Sequence, residues 1–374
     1  MRIAINAAYL RRGAHDGIAN FGRGLIRHLA ELDEDLLLYS PEAMESIRGK
    51  LYHRKTPEAL SVRNGPLAGL FRVGVWSQTI LPYRALQDHA NVLLCPVPEG
   101  MFRPMVPQVI VVHDLFPAIF PHSFGYLRQY VKYGLPAILA ASEKIIAASK
   151  QTKNDIVAHF GIPEDKVRVV YQGIDPTYFS NDAGVAPAGH QEQPFFLFVG
   201  RGCPHKNLET VLHAFAINHA TTPHQLVAVI DVYGKEDENN VRRLLRLASS
   251  LGIRERLRIH SHLTCREILF LYRNATAVVL LSKYEGFGLP PLEAMAVGTP
   301  AIVSNSSALG EVAGGGAICV PSDDPVPAAE AMRQLACDPE FHAAQSRIAA
   351  EYARRFTWKR AACEVREILA QIAR

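Results

Sequence analysis

Along the whole chain, short runs of Val, Ile, Leu and Phe alternate with longer segments of helical period. A strand that is apolar on both faces must be buried between two layers, so this alternation predicts parallel sheets covered by helices on either side. A first set of strands is expected at Ile3 to Asn6, Val92 to Leu94, Val109 to Val112, Lys144 to Ala147 and Val167 to Val170. A polar stretch bearing Gly and Pro, Ser180 to Pro194, then reads as a linker. A second set follows at Phe195 to Val199, Leu226 to Ile230, Leu257 to Ile259, Ala277 to Leu281, Ala301 to Val303 and Ala317 to Val320. The 374 residues are enough for two domains, each with its own apolar core. The fold class expected is α/β, with two Rossmann-like, doubly wound parallel-sheet domains. In such sheets ligands sit beyond the carboxyl ends of the strands, so chemistry is sought just after each one.

Composition narrows the function classes. The formal charge of +4 comes entirely from residues 1–180, with 20 Lys and Arg against 16 Asp and Glu. So mild an excess does not indicate nucleic acid; it reads either as a solvated face or as an attraction for an anionic acceptor or phospholipid surface. The six cysteines are far apart and lack the paired spacing of a zinc site, so they are expected as reduced core or near-site thiols. The opening residues read as a buried strand and no apolar run is long enough to span a bilayer, which predicts a cytoplasmic protein.

The most informative stretch runs from Ser282 to Glu293, SKYEGFGLPPLE, after a buried strand and into a helix. Gly286 and Gly288 allow the backbone to approach a ligand, and Pro290 or Pro291 suits a first helical turn. Backbone amides and the positive end of the helix dipole then favour sugar hydroxyls or a diphosphate oxygen. Glu285 lies in the loop and Glu293 about one turn into the helix. A carboxylate accepts two hydroxyls at once, which fits Glu293 to a ribose diol and Glu285 to a transferred sugar. The plainer reading is that Glu293 complements the helix dipole and Glu285 is solvated.

A second loop, Val199 to Asn207, places Arg201 and Lys206 around a strand-to-helix turn, with Asn207 as the expected N-cap. Two fixed cations there can neutralise a diphosphate and the charge that grows on it as it leaves; taken alone, such a pair is more often surface charge. His113 and Asp114 end a buried strand. There the imidazole can donate to a sugar or departing phosphate with Asp114 steadying it, or the pair can simply cap a loop. The stretch from Arg11 to Gly22 contributes a glycine-bearing loop before a helix that carries Leu25, Ile26 and Leu29, without the spacing of a dinucleotide fingerprint. Leu67 to Leu86, with Phe71, Trp76 and Tyr83, reads as a domain helix framed by Pro66 and Pro82, or as a surface for a lipid-linked acceptor or membrane.

Taken together, these pieces resemble the family 4 retaining glycosyltransferases of GT-B fold, a resemblance covering nearly the whole chain. Its most specific element is the E-x7-E pair Glu285 and Glu293; Phe198-Val199-Gly200 to Lys206-Asn207-Leu208, Val112-His113-Asp114-Leu115 and Val170-Tyr171-Gln172-Gly173-Ile174-Asp175 follow the family order. The resemblance implies an acceptor-side domain at 1–180, a nucleotide-sugar domain at 181–355 facing it across a cleft, and a C-terminal helix, 356–374, returning to the first domain. It assigns Arg201, Lys206 and Gly17 to the diphosphate, Glu293 to the ribose, and Glu285 with Gly286, Phe287, Gly288 and Leu289 to the donor sugar. His113 and Asp114 fall at the reaction centre with Glu285, and His262 and Leu263 near the base. The Gly17-Ile18-Ala19-Asn20 loop departs from the family's usual wording at Ala19 and Asn20.

The activity implied is transfer of a hexose, with retention and no obligatory metal or other cofactor, from a nucleotide-diphosphate sugar. The motif wording is closest to mannosyl- and rhamnosyl-type enzymes of bacterial polysaccharide assembly, with GDP-mannose the first donor expected and a glycan or lipid-linked compound the acceptor. A peripheral contact at the inner face of the membrane accompanies that acceptor reading. The competing readings are a GT-B epimerase or phosphorylase, disfavoured by the paired glutamates, and a non-catalytic nucleotide-sugar-binding partner.

Overall fold

The computed structural model describes residues 1–10, 17–32, 34–44, 50–61, 69, 71–120, 129–232 and 234–374. They form two compact units, Met1–Gly173 with Phe356–Arg374, and Ile174–Arg355.

The first unit holds seven parallel strands: β1 (Arg2–Asn6), β2 (Asp35–Ser40), β3 (Leu51–Lys55), β4 (Val92–Cys95), β5 (Gln108–Val112), β6 (Lys144–Ala147) and β7 (Val167–Val169), in the order β3-β2-β1-β4-β5-β6-β7. Successive side chains of a strand point to opposite faces. Ile3, Ile5, Leu36, Leu38, Val109 and Val111 therefore pack one core, while Ala4, Leu37, Leu93, Ile110 and Val112 pack the other. The strands β2 and β3 were not expected from the sequence.

The helix Gly17–Ala30 covers the first face through Phe21, Leu25, Ile26 and Leu29. It starts at Gly17, so Gly17-Ile18-Ala19-Asn20 is its first turn rather than a loop; residues 11–16 of the expected loop lie outside the described residues. The C-terminal helix Trp358–Ile372 lies on the same face, burying Trp358, Ala361, Ala362, Val365, Ile368 and Leu369 at helical spacing. Its approach requires two glycines: a Cβ at Gly24 would strike the Trp358 ring, and one at Gly173 the Trp358 backbone. On the other face, Phe71–Ile80 is π-helical and continues as the α-helix Leu81–Gln87. Pro82 thus lies inside this helical run instead of framing it, while Pro66 and Leu67 lie outside the described residues. Trp76 is buried, whereas Phe71 and Tyr83 are exposed.

The second unit holds six parallel strands: β8 (Phe195–Val199), β9 (Gln225–Val229), β10 (Leu257–His260), β11 (Ala277–Leu280), β12 (Ala301–Ser304) and β13 (Ile318–Val320), in the order β10-β9-β8-β11-β12-β13. The expected linker, Ser180 to Pro194, packs on this unit. The Val185 N–H donates to the Arg266 carbonyl at 3.0 Å, and the His190 ring stands edge-on to Phe195 and Phe270. Gly184 has φ +74° and fits against the backbone of Arg266 and Phe270, where a Cβ would collide. The division accordingly falls at Gly173/Ile174 rather than at residue 180, because this polar stretch finds its partners on the second unit.

All six cysteines are free thiols; Cys95 is in the core and Cys203 lies on the loop that bears Arg201 and Lys206, while Cys265, Cys319 and Cys337 are exposed. Among the described residues no helix is long and apolar enough to cross a membrane, and no group of three or more His, Cys, Asp and Glu could hold a metal ion.

Candidate active site

In the second sheet the strand order reverses between β8 and β11, so the connections leaving these two neighbours diverge and leave room for a ligand above their carboxyl ends. The two loops at this point are stitched together by backbone contacts. The Lys283 N–H donates to the His205 carbonyl at 2.8 Å, and Asn207 Nδ2 donates to the Leu281 carbonyl at 2.9 Å. Asn207 occupies the position before the helix Leu208–Asn218, but in a left-handed conformation (φ 57°) and without a side-chain cap. Its amide instead ties the loops, with a second bond to the Ser322 carbonyl.

That stitching places Lys206 Nζ 2.6 Å from Glu285 Oε1, with both side chains largely buried. The Ser282 hydroxyl donates to the same carboxylate oxygen at 2.8 Å, and the Glu285 N–H donates to Ser307 Oγ at 2.9 Å. Ser307 has φ +51°, a left-handed conformation that costs an L-residue energy, at the start of the helix Ser307–Val312. Beside Lys206, burial first and the lysine's charge second push the His205 imidazole down to about 4, so it stays neutral at physiological pH. Arg201, on the same loop, is half exposed and turns to Asp237, 3.2 Å away on the helix Lys235–Ser250. The expected pair of cations is therefore split: Lys206 joins Glu285, and Arg201 joins a buried aspartate.

Gly288, at φ +109°, turns the chain into the helix Leu289–Ala296, and a Cβ there would strike Leu309. Pro290 and Pro291 carry no N–H, so the amide donors at this end come from the loop Gly286 to Leu289 and not from the following turn. Gly286, Phe287 and Gly288 are buried. Glu293, partly buried on that helix, accepts from the Tyr272 hydroxyl at 3.0 Å. Burial pushes its carboxyl up to about 7; the Tyr272 and Tyr178 hydroxyls oppose the rise and the nearby Asp175 charge adds to it.

His262 and Leu263 follow β10 on the same edge of the sheet. The His262 N–H donates to Asp231 Oδ1 at 2.9 Å, its backbone is left-handed (φ 54°) and its ring is exposed, while Leu263 packs partly onto the core of Phe195 and Leu197. Strands are spaced about 4.8 Å apart, so the loop after β10 lies roughly 10 Å from that after β8.

In the first unit, His113 follows β5 and its Nε2–H donates to the Pro96 carbonyl at 2.8 Å. A carbonyl only accepts, so in the neutral ring Nδ1 is an acceptor. In that tautomer Nδ1 receives a hydrogen bond, whereas the protonated ring donates from both nitrogens. Phe21, from the helix that begins at exposed Gly17, stands edge-on to the His113 ring with centroids 4.5 Å apart. Asp114 Oδ1 accepts the Phe116 N–H at 2.9 Å and so caps the following turn. Sequence reasoning missed Asp237, Ser307, Tyr272 and Tyr178 and gave Ser282 no role; Ser282 and Ser307, two and three residues beyond the ends of β11 and β12, carried a positional signal.

Two doubly wound units in one chain, each with its reversal of strand order, define the GT-B class. Family models match almost end to end: Glycosyltransferase Family 4 over residues 15–178 and Glycosyl transferases group 1 over residues 185–355. The chain belongs to the family 4 glycosyltransferases. It is 29% identical over 217 residues to the O-antigen chain mannosyltransferase RfbU of Salmonella typhimurium, a match covering 58% of this chain and 57% of that protein. The match thus spans little more than half of that relative's length. Among solved structures, sucrose-phosphate synthase from Thermosynechococcus elongatus superposes with a TM-score of 0.77 at 19% identity, covering 99% of this chain and 98% of that one. Anabaena Alr3699/HepE in complex with UDP-glucose does so with a TM-score of 0.70 at 17% identity, over 99% of this chain and all of that one. At these identities the two structures speak for the fold.

Proposed function

We propose that the protein is a retaining glycosyltransferase that moves a hexose from a nucleotide-diphosphate sugar to a hydroxyl of a glycan or lipid-linked acceptor. The observation that carries this reading is the Lys206–Glu285 pair at the strand-order reversal of the second sheet. An entering diphosphate takes Lys206 as its counter-ion, which releases Glu285 to accept sugar hydroxyls beside the Gly286 to Leu289 amides. Along the sheet edge, His262 and Leu263 receive the base, Lys206 the diphosphate, and Glu285 the sugar, with Glu293 accepting the ribose diol. Arg201 joins the diphosphate by exchanging Asp237 for it.

In the reaction the bond from the anomeric carbon to the diphosphate oxygen breaks and one to the acceptor oxygen forms on the same face. The acceptor's proton passes to the departing diphosphate. Lys206 stabilises the charge growing there, and no step needs a metal. His113 Nδ1 accepts a sugar hydroxyl and Gly17 borders the phosphate and acceptor.

For the donor, similarity to the mannosyltransferase RfbU favours a mannosyl group and the ligand of HepE favours UDP-glucose; GDP-mannose stays first because the motif wording points the same way. Exposed Phe71, Val75 and Tyr83 favour a lipid-linked acceptor met at the inner membrane face, from the cytoplasm. Incubating the protein with GDP-mannose or UDP-glucose and a lipid-linked glycan in the presence of a chelator tests the reading. Release of nucleoside diphosphate with an axial-to-axial or equatorial-to-equatorial product is expected. An altered sugar still joined to its nucleotide, inversion, or activity restored only by magnesium would overturn it.

A further inference from the structure

Glu293 does not stand alone at its helix. The Tyr272 ring is fully buried, yet its hydroxyl reaches Glu293 Oε2 at 3.0 Å from the helix Cys265–Asn274. Tyr178 comes from the turn Pro176–Phe179, and its ring meets that of Tyr272 edge-on with centroids 5.8 Å apart. These two segments and the helix Leu289–Ala296 thus bring two phenols and one carboxyl together behind the loop that bears Glu285. A phenol buried in an apolar core needs a partner, and the carboxyl oxygen supplies it. A carboxyl on a flexible side chain also needs a fixed rotamer if its second oxygen is to meet a ligand in one orientation.

We propose that Tyr272, assisted by Tyr178, is a positioning residue that holds Glu293 by Oε2 and turns its other oxygen outward to accept the ribose hydroxyls of the donor. This rests on the glycosyltransferase reading and adds to it a source of nucleotide affinity and a proton linkage. The groups facing Glu293 are Tyr272, Tyr178, Asp175 and Cys265. Burial raises both phenols and the Cys265 thiol above their ordinary values, so all three stay protonated, while the Asp175 charge disfavours ionisation of Glu293. Donor affinity should rise as Glu293 loses its proton near pH 7, since only the carboxylate is purely an acceptor. Removing a hydroxyl that donates to the carboxylate moves that midpoint to higher pH.

The test is calorimetric binding of GDP-mannose and UDP-glucose and of their 2′,3′-dideoxyribose counterparts, from pH 6 to 9, to the wild type, Tyr272→Phe and Tyr178→Phe. Nucleotide sugars are used because, unlike nucleoside diphosphates, their phosphates do not titrate in this range. Tyr272→Phe should weaken the ribose ligand about tenfold at pH 7 and leave the dideoxy ligand unchanged. Its pH midpoint should move up, with a smaller shift in the same direction for Tyr178→Phe. Equal weakening of ribose and dideoxy ligands, or an unmoved midpoint in both variants, overturns the positioning role alone. A wild type that binds no nucleotide sugar overturns the glycosyltransferase reading and this inference with it. If Tyr272→Phe does not fold, Tyr178→Phe decides by the same two readouts.

Discussion

The two units share one winding: β3-β2-β1-β4-β5-β6 in the first is repeated as β10-β9-β8-β11-β12-β13 in the second. They differ in what fills the point where the order reverses. In the first unit the turn after β4 is closed from within. Asn6 Nδ2 donates to the Glu99 carbonyl, Trp76 Nε1 to Asn6 Oδ1, His113 to the Pro96 carbonyl and the Tyr130 hydroxyl to the Pro98 carbonyl. Arg72 Nε donates to both carboxylate oxygens of Glu99, and its Nη1 donates to the Leu60 carbonyl. In the second unit the same place holds one short ion pair, Lys206–Glu285, on glycine-bearing loops. The winding provides a crevice twice, and the side chains decide whether it serves cohesion or charge.

The strongest way to break this comparison is Lys206→Ala. If the second crevice works by charge, removing its cation costs about 3 kcal/mol of transition-state stabilisation, a loss of two orders of magnitude in kcat/KM. Near-wild-type transfer would remove Lys206 from the site. The complementary change in the first unit is Asn6→Ala, which leaves the Trp76 N–H without its buried acceptor and the Glu99 carbonyl with the Ser77 hydroxyl as its remaining side-chain donor. Thermal or denaturant unfolding should show a loss of roughly 2–3 kcal/mol, insensitive to salt. A marginal loss would mean that this crevice is not held by its hydrogen bonds.

Glu293 sharpens the contrast, because here the second unit gives up stability for a charge. Its folded carboxyl titrates near 7, above the ordinary 4.5, because burial disfavours the ionised form. Its favourable contribution is therefore fully present below pH 4.5 and is lost as pH rises through 7. Glu293→Gln never ionises, so at pH 8 it should be more stable than the wild type by about 1–2 kcal/mol, and the difference should vanish at pH 4. Melting temperatures at the two pH values check this; a variant less stable at pH 8 would show that the carboxylate is compensated after all.

How much of this was written in the sequence follows from what each residue's surroundings demand. Strands such as Phe195–Val199 and Lys144–Ala147 were legible to the residue because burial on both faces forces apolar runs, broken here only by Lys144 at the start of the second. The edge strand Leu51–Lys55 was not, since it carries His, Arg and Lys among its five residues, and Asp35–Ser40 follows the apolar helix Gly17–Ala30 too closely to stand apart. Lys206, Glu285 and Glu293 could be singled out because their chemistry is local to a loop and a helix start. Asp237, Tyr272 and Tyr178 could not, because packing alone brings them from other elements. The same limit misplaced Ser180 to Pro194, whose polar composition suits a linker until Arg266, Phe270 and Gln225 provide partners.

The smallest expected effect concerns Ser307, whose hydroxyl accepts the Glu285 N–H while its backbone sits at φ +51°. A left-handed L-residue carries a cost of about 1 kcal/mol that glycine escapes, so two substitutions separate conformation from hydrogen bonding. Ser307→Ala keeps the strain and loses the hydroxyl, and should lower stability by about 1 kcal/mol and raise the donor KM several-fold. Ser307→Gly loses the same hydroxyl but relieves the strain, and should restore the stability while leaving the KM raised. If glycine restored both, the Glu285 loop would be held by backbone conformation rather than by this bond. The crevice of the second unit would then need less support from neighbouring side chains than that of the first.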